Sequence, residues 1–278
     1  MSSKTILIVI QSVEEVPRLL SVAATIARDT NAHLIGLHVA ETMILLSEAA
    51  YLPVSLQDQL TESQTERAAE IDAAFTKATA GETFVSEFRF EKVTGATSAD
   101  HIIEQARCAD LVIMAQQRSD ADNPTAEIAL ERTIRKSGRP VLVIPYAGDF
   151  EVVGKNAIVG WSATREATRA AHDAVGLIGE GSSAYILTVR SSRSDDRAVA
   201  TAKELAQTYD RHGIKAEVAE RLIDDISIAD VLLNEAFERG ADLIVTGAFG
   251  HSRIYDFVIG ATTTKLLESM TAPVLFSS

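Results

Sequence analysis

Short runs of consecutive apolar residues alternate with longer amphipathic stretches along this chain. Residues 5–10 form the first apolar run, residues 14–30 show a helical periodicity, and residues 33–39 form the second apolar run. Strands that are apolar along their whole length are typical of parallel sheets covered by helices on both faces. Because connections between parallel strands are right-handed, the pattern predicts an open, doubly wound α/β sheet.

The same succession of apolar runs and amphipathic stretches occurs twice. Asp110 precedes Pro140 by 30 residues and Asp242 precedes Pro273 by 31, so the repeat keeps its register. Each half therefore predicts an open parallel sheet of five strands with flanking helices. The predicted strands are residues 5–10, 33–39, 85–90, 109–113 and 139–144 in the first half, and residues 157–161, 184–189, 215–219, 241–245 and 272–276 in the second.

The repeat also predicts the domain organisation. Residues 1–146 form one domain, residues 147–154 a short polar linker, and residues 155–278 a second domain. Two like domains joined so closely are expected to pack as a pseudo-dimer within one chain. The first half carries an insertion at residues 41–57, whose apolar side chains suggest a packed flap with no assigned role; these are Leu45, Leu46, Tyr51, Leu52 and Pro53.

Composition excludes several classes of protein. Hydrophobic residues make up 46% of the chain and charged residues 23%, which is typical of a globular protein. A net charge of −13 argues against binding to nucleic acid, which requires a basic face. Cys108 is the only cysteine, so neither an intrachain disulfide nor a cysteine-based metal site is expected. No apolar run reaches the roughly 20 residues that span a bilayer, and the first residues lack a signal-peptide pattern, so a cytoplasmic protein is expected.

The most informative loop follows the fourth strand of the second half. Gly247 and Gly250 come directly after the apolar run at residues 242–246, and Gly260 precedes a helical pattern at residues 263–268. A strand, a glycine-bearing loop and a helix start can direct backbone N–H groups at an anion. Gly247 and Gly250 permit a positive φ and the close approach of a ligand. The loop therefore predicts a site for a phosphate-bearing ligand.

Open parallel sheets bind their ligands at the carboxyl ends of the strands. The candidate site residues are therefore those that follow the strands of the second half. Thr262 and Thr263 can cap the following helix, and Arg253 either pairs with a phosphate or faces solvent. His251 is interpreted as a turn residue, because no catalytic partner stands beside it. No catalytic residue and no metal ligand is predicted. The candidates are Gly160, Trp161, Ser162, Val189, Thr246, Gly247, Ala248, Gly250, His251, Ser252, Arg253, Gly260, Ala261, Thr262 and Thr263.

These residues resemble those of the universal stress proteins, with two UspA-like domains covering nearly the whole chain. The resemblance rests on residues 247–253, Gly260 and residues 272–275, and in the first half on residues 110–114 and 137–145. It implies a fold like that of the adenine nucleotide alpha hydrolases, a role in the stress response, and a homodimer as one state of association. One branch of the family binds ATP through Gly-x2-Gly-x9-Gly-[Ser/Thr]. The resemblance thus implies ATP or another adenine nucleotide, with or without Mg²⁺.

The chain departs from the family pattern at several of these positions. Ala261 stands where the family has Ser or Thr, and Ser162 where ATP-binding members have Asp, while Val189 matches a position beside adenine. The first half departs further, because its glycines are replaced. The replacing residues are Ala115, Arg118 and Glu127, and Gln11 stands in the place of the Asp. A carboxylate at this helix start would repel a phosphate, so one nucleotide site per chain is expected, in the second half.

Three functions remain open at this point. The first is a stress-response protein that binds a nucleotide without rapid chemistry. The second is an enzyme, either a slow ATPase or an adenylating enzyme on a related sheet, for which Asp256 and Lys265 are the only Asp or Lys candidates near the loop. The third is an interaction protein without a ligand, in which the glycines serve the turn alone. Because no Gly-x4-Gly-Lys-[Ser/Thr] motif is present, weak ATP hydrolysis is the most that is expected of an enzyme.

Overall fold

The computed structural model describes residues 3–42, 54–94, 97–117, 124–190, 197–223, 226–249 and 260–278. In the first half the elements are β1 (Thr5–Val9), α1 (Glu15–Thr30), β2 (His33–Thr42), α2 (Val54–Thr79), β3 (Ser86–Thr94), α3 (Ser98–Ala106), β4 (Leu111–Ala115), α4 (Pro124–Lys136) and β5 (Val141–Ile144). In the second half they are β6 (Asn156–Gly160), α5 (Arg165–Ile178), β7 (Ser183–Arg190), α6 (Arg197–Arg211), β8 (Lys215–Leu222), α7 (Ile228–Arg239), β9 (Leu243–Gly247), α8 (Ala261–Ser269) and β10 (Val274–Ser277). The predicted succession of strands and helices is confirmed, with small shifts at their ends.

The ten strands form one continuous open sheet in the order β3-β2-β1-β4-β5-β10-β9-β6-β7-β8. Each half contributes five parallel strands, which confirms the predicted α/β fold. The halves meet edge to edge, because β5 and β10 pair antiparallel, with Leu142 opposite Leu275. This junction makes the two halves a pseudo-dimer, and the strands of the second half run in the opposite direction to those of the first. The domain boundaries at residues 146 and 155 stay a prediction.

Side-chain alternation along the strands produces two cores, one on each face of the sheet. Ile6 and Ile8 lie in the core beneath α1, α2, α5 and α6, whereas Leu7 and Val9 lie in the core beneath α3, α4, α7 and α8. Both cores run across the junction between the halves. Burial on both faces is the physical reason why inner strands such as β4 and β5 are apolar at every position, whereas the outer strands β3 and β8 also carry polar residues.

Most of the predicted flap falls outside the described residues. The predicted insertion begins at Glu41, which lies in β2, and its last residues belong to α2, but Leu45, Leu46, Tyr51, Leu52 and Pro53 are not described. Within the described parts of the chain, no helix is both long and apolar enough to cross a membrane.

Candidate nucleotide site

The order of the strands places the candidate site between β6 and β9. β6 has β7 on one side and β9 on the other, so the strand order reverses between β6 and β9. Ala157 pairs with Leu243 and Val159 with Val245, which brings the carboxyl ends of both strands together. A crevice outside the strands at such a point is where open α/β sheets bind their ligands.

Most of the described candidate residues gather at these strand ends. Gly160 ends β6, Trp161 and Ser162 follow it, and Thr246 and Gly247 end β9. Val189 lies one strand further out, in β7, where it pairs with Arg221. Ala248 is fully buried and donates its N–H to the carbonyl of Ser277 at 2.8 Å, so the loop starts fixed to β10. Four predicted residues lie outside the described part of the chain: Gly250, His251, Ser252 and Arg253.

Gly247 is required for packing, and it does not adopt the positive φ that a glycine permits. Its φ lies outside the left-handed region, as does that of Gly260 at −59°. A Cβ at position 247 would lie 2.6 Å from the amide nitrogen of Ala167 and 2.6 Å from the carbonyl carbon of Glu166. The first turn of α5 therefore packs directly against the backbone at the end of β9. Gly160 is also tightly packed, since a Cβ added there would lie 3.2 Å from the side chain of Leu232.

Phe249 supplies the left-handed backbone in this loop, with a φ of 63°. Such a conformation is uncommon for a bulky residue and is maintained only where the surroundings impose it. The amide nitrogen and Cα of Phe249 lie 3.9 and 3.7 Å from the position a Cβ of Gly260 would take. Phe249, two residues after the end of β9, thus lies beside Gly260 at the start of α8.

The N-terminus of α8 lacks a side-chain cap. Thr97, Thr164 and Ser227 cap α3, α5 and α7 with hydroxyl groups, whereas Gly260 at the start of α8 offers none. The first N–H groups of a helix carry a partial positive charge, and an anion satisfies those without a cap. The end of β9 and the start of α8 therefore lie close together, and that they bind an anion stays a prediction, since residues 250–259 between them lie outside the described part of the chain.

Hydroxyl groups are unevenly placed around the start of α8. Ala261 is exposed and has no hydroxyl, while Thr262 is half-buried and Thr263 is 3% exposed. The Thr263 Oγ1 lies 3.9 Å from the position that a Cβ of Gly260 would take. Among the described residues, Thr262 and Thr263 directly follow Ala261 and offer hydroxyls in its place, and Thr262 is the more accessible of the two.

Trp161 and Ser162, which follow β6, both form hydrogen bonds with other side chains of the protein. The Ser162 Oγ lies 3.1 Å from the Thr164 Oγ1, which also accepts a hydrogen bond from the amide of Ala167. The Trp161 Nε1 donates to the Thr201 Oγ1 of α6 at 3.1 Å. Because a hydroxyl has one donor and two acceptor sites, Ser162 retains capacity for further hydrogen-bond partners. It carries no charge with which to orient a ribose or a metal.

Lys265 forms an ion pair with Asp230. Its Nζ lies 2.5 Å from the Asp230 Oδ2 in α7, and Ser227 also bonds this carboxylate. The hydrogen bond from Lys265, followed by that from Ser227, lowers the pKa of Asp230. The other charged candidate, Asp256, lies outside the described residues. Among the described residues, no group of three or more His, Cys, Asp or Glu side chains is placed to hold a metal.

In the first half, a buried carboxylate lies beside the carboxyl end of β1. The Glu15 Oε2 accepts a hydrogen bond from the amide of Gln11 at 2.9 Å, directly after β1. The side chain of Gln117 also bonds this carboxylate. Burial raises the pKa of Glu15 more than these hydrogen bonds lower it. Glu127 lies inside the first turn of α4, because α4 begins already at Pro124, rather than at a helix start like that of Gly260.

Gln116, directly after β4, links the first half to α8 of the second half. Its side chain is buried, and its Nε2 donates to the carbonyl of Leu267 in the last turn of α8 at 2.7 Å. Its Oε1 accepts from the amide of Tyr146 at 3.1 Å. The loop after β4 therefore anchors the C-terminal end of α8, the helix whose N-terminus forms the candidate site.

Sequence reasoning missed one residue that approaches the site from the other half. The guanidinium of Arg135, in the last turn of α4, lies 4.5 Å from the centroid of the Phe249 ring. A cation over an aromatic ring is an attractive contact. No sequence signal marks Arg135, because the contact depends on the antiparallel junction of the two halves.

Replacement of Glu15 by glutamine is expected to remove a pH-dependent cost from the first half. A carboxyl with a raised pKa in the folded state binds more protons than in the unfolded state, so stability falls as the pH rises above its ordinary value of 4.5. Glu15→Gln removes this titration. The free energy of unfolding of the variant, relative to the wild type, should therefore increase between about pH 4 and pH 8 in urea denaturation. A difference that is independent of pH would contradict a raised pKa.

The fold and the candidate site thus define an α/β protein of two like half-sheets, in which only the second half carries the Gly247, Gly250 and Gly260 pattern. A model of the universal stress protein family matches residues 2–145 and again residues 155–277. The chain therefore belongs to the universal stress protein family, as a tandem of two such segments.

Similar proteins agree with this assignment. The universal stress protein Slr1230 of Synechocystis is 28% identical over 170 residues, which cover 60% of this chain and 57% of that protein. The match thus spans little more than half of the curated relative. A universal stress protein from Archaeoglobus fulgidus DSM 4304 superposes with a TM-score of 0.74 and 16% identity, covering 100% of this chain and 97% of the other. A functionally unknown protein from Pseudomonas aeruginosa PAO1 superposes with a TM-score of 0.56 and 17% identity, covering 99% of this chain and 92% of the other. At these identities the structures show a common fold only.

Proposed function

We propose that this protein binds an adenine nucleotide in its second half and acts in the stress response through binding rather than catalysis. The observation that carries the proposal is the N-terminus of α8, where Gly260 offers no capping side chain and lies beside Phe249, two residues after the end of β9. Backbone N–H groups and the helix dipole favour the phosphate groups of the ligand at this point. A location in the cytoplasm and pairing into a homodimer belong to the same proposal and rest on family membership alone.

Two features favour binding over phosphoryl transfer. Phosphoryl transfer depends on positioned cations around the transferred group. Lys265 is already paired with Asp230, and Ser162 replaces the carboxylate that would help to hold Mg²⁺. A ligand-free interaction protein is the alternative, supported by the packing role of Gly247.

Titration calorimetry of the whole chain with ATP, ADP, AMP and adenosine, with and without Mg²⁺, tests the proposal. Saturable binding that strengthens with the number of phosphates is expected. If none of these ligands binds saturably at about millimolar concentration, where the binding free energy is only about 4 kcal/mol, the interaction protein without a ligand replaces the proposal.

A matched pair of substitutions at Gly260 tests whether the phosphates bind at α8. The backbone at Gly260 accepts other residues, and a Cβ there meets no atom closer than 3.7 Å. Gly260→Asp and Gly260→Asn should both stabilise the helix start by a few tenths of a kcal/mol, estimated at about 0.3. Only Gly260→Asp adds a negative charge, so it should weaken ATP binding by about tenfold relative to Gly260→Asn. Equal affinities in the two variants would show that the phosphates bind elsewhere.

A further inference from the structure

A buried histidine lies beneath α2 in the first half. His38, in β2, is 5% exposed. Side chains two residues apart share one face of a strand, and a Cβ added at Gly36 would lie 2.8 Å from the ring of Phe75 in α2. His38 therefore lies on the face of β2 that α2 covers.

The surroundings of His38 fit the neutral form of its ring. The Nδ1 lies 2.8 Å from the carbonyl oxygen of Ile10, directly after β1. Because a carbonyl only accepts hydrogen bonds, Nδ1 carries the proton and Nε2 is the basic nitrogen. The ring also stacks on Phe90 of β3, with 5.7 Å between the ring centroids. Among the described residues, none forms a hydrogen bond with Nε2.

The charged groups of α2 and β3 disfavour a proton on His38. Burial lowers the pKa of His38, the hydrogen bond to Ile10 opposes this shift, and the positive charge of Arg67 in α2 adds to it. The Nζ of Lys92, in β3, lies 5.6 Å from the centroid of the Phe90 ring on which His38 stacks. Both neighbouring side chains that carry a charge are thus cations.

The two carboxylates at the start of α1 do not pair with His38. The Glu15 Oε2 accepts a hydrogen bond from the amide of Gln11 at 2.9 Å. Glu14 is exposed, and a hydrogen bond from Ser12 lowers its pKa. Protonated His38 would therefore be a buried cation without an anionic partner among the described residues, which is costly.

The part of α2 nearest to its N-terminus is weakly attached to the sheet. No side chain of residues 58–67 is buried, whereas those of Ile71 and Phe75 are fully buried. Residues 58–67 are attached through polar contacts such as the hydrogen bond from the Gln64 Nε2 to the carbonyl of Glu41 at 2.9 Å. A segment that buries few apolar side chains opens at a lower free energy than the core does.

We propose that His38 makes the attachment of residues 58–67 of α2 to the first half-sheet sensitive to acid. When the imidazole is protonated, this part of α2 separates from the sheet and the ring becomes exposed to water. The opening uncovers His38 and the end of β1 beside it, while Ile71 and Phe75 keep the rest of α2 in place. This response belongs to the first half and is independent of the proposed nucleotide function.

The attachment is expected to weaken as the pH falls below 6.5, the ordinary pKa of histidine. The imidazole of the closed state has a lowered pKa, whereas that of the opened state has the ordinary one, so the opened state binds more protons in mild acid. One proton changes the opening equilibrium by at most about tenfold per pH unit. A decrease from about pH 7.5 to about pH 5.5 should therefore increase the opened population by about tenfold.

Hydrogen exchange of the whole chain at these two pH values tests the inference, with protection factors corrected for intrinsic exchange. The protection of residues 58–67 should fall about tenfold on acidification, and that of α6 in the second half should not change. His38→Asn offers an N–H donor to the carbonyl of Ile10 but cannot be protonated, so its protection should be independent of pH. His172 is exposed in α5, and His172→Asn should respond to acid as the wild type does.

Two further measurements do not depend on the folding of His38→Asn. An NMR titration of the imidazole C–H of His38 in the wild type should give a pKa below 6.5. Arg67→Gln, at an exposed position, should raise this pKa, because a positive charge is removed. Glu15 titrates in the opposite sense, and its contribution cancels when the wild type is compared with His38→Asn.

Three outcomes would overturn the inference. A pKa of His38 at or above 6.5 would show that the folded chain accepts the proton without cost. Equal losses of protection in the wild type and His38→Asn would assign the acid response to another group. An equal loss in α6 would show that acid weakens the whole chain rather than the attachment of α2.

Discussion

Replacement of Gly247 by alanine is expected to lower the free energy of unfolding by about 3 kcal/mol, the upper end of the usual cost of overpacking. The added Cβ would lie 2.6 Å from atoms of Glu166 and Ala167 that belong to the main chain. Main-chain atoms in the first turn of a helix cannot rotate away as a flexible side chain can. The whole start of α5 must move, and urea denaturation measures the cost.

Gly260→Ala is the matched control for this loss. Gly260 belongs to the same glycine pattern, but its added Cβ meets the protein at 3.7 Å or more, and its φ of −59° suits any residue. Its free energy of unfolding should stay within about 0.5 kcal/mol of the wild type. If Gly247→Ala were as stable as Gly260→Ala, the tight packing against α5 would have no energetic consequence.

The second large effect is expected at the opposite edge of the sheet, from Asp242→Ala. The carboxylate of Asp242 accepts hydrogen bonds from the amides of Gly154 and Lys155 at 2.7 and 3.0 Å, and from Asn156 at 3.2 Å. It thereby ties the entry of β9 to the entry of β6. Loss of hydrogen bonds to a charged group, with donors left unpaired, should reduce the free energy of unfolding by about 3 kcal/mol.

Comparison with Asp110 gives this prediction an internal control. Asp110 makes the same kind of contact at the entry of β1, where it accepts from the amides of Lys4 and Thr5 at 2.8 and 3.0 Å. Asp110→Ala should therefore also destabilise, and Asp242→Asn, which keeps one oxygen, should cost less than Asp242→Ala. Nucleotide affinity of the folded fraction should be unchanged in all three variants. If Asp242→Ala had the same free energy of unfolding as the wild type, solvent would replace the carboxylate without cost.

The fold could be predicted from the sequence because its strands are buried on both faces. The runs at residues 5–10 and 241–245 are almost entirely apolar, and no other common arrangement of a short strand requires that pattern. The pairing of β5 with β10 could not be predicted in the same way. Val141 and Phe276 are fully buried, as they would be in a central strand of either half, so the sequence carries no mark of an edge.

The candidate site was only partly predictable, because its geometry depends on contacts between distant parts of the chain. Glycine at position 247 was interpreted as conformational freedom, whereas the structure shows a close approach of α5. The left-handed residue is Phe249, which no pattern would select. Similarly, Asp110 and Asp242 served as markers of the repeat, yet their carboxylates fix strand entries through backbone amides far away in sequence.

The antiparallel junction of the two half-sheets has a consequence for how such a protein can diverge. In a dimer of identical single-domain chains, every substitution appears on both sides of the two-fold axis. Here the related positions are encoded separately, so Gln116 of the first half can anchor α8, while Ala248, at the related position of the second half, has no side chain that could make such a contact. Arg135 and Glu268 differ in the same way. Covalent linkage of the halves thus permits a division of labour that exact symmetry forbids.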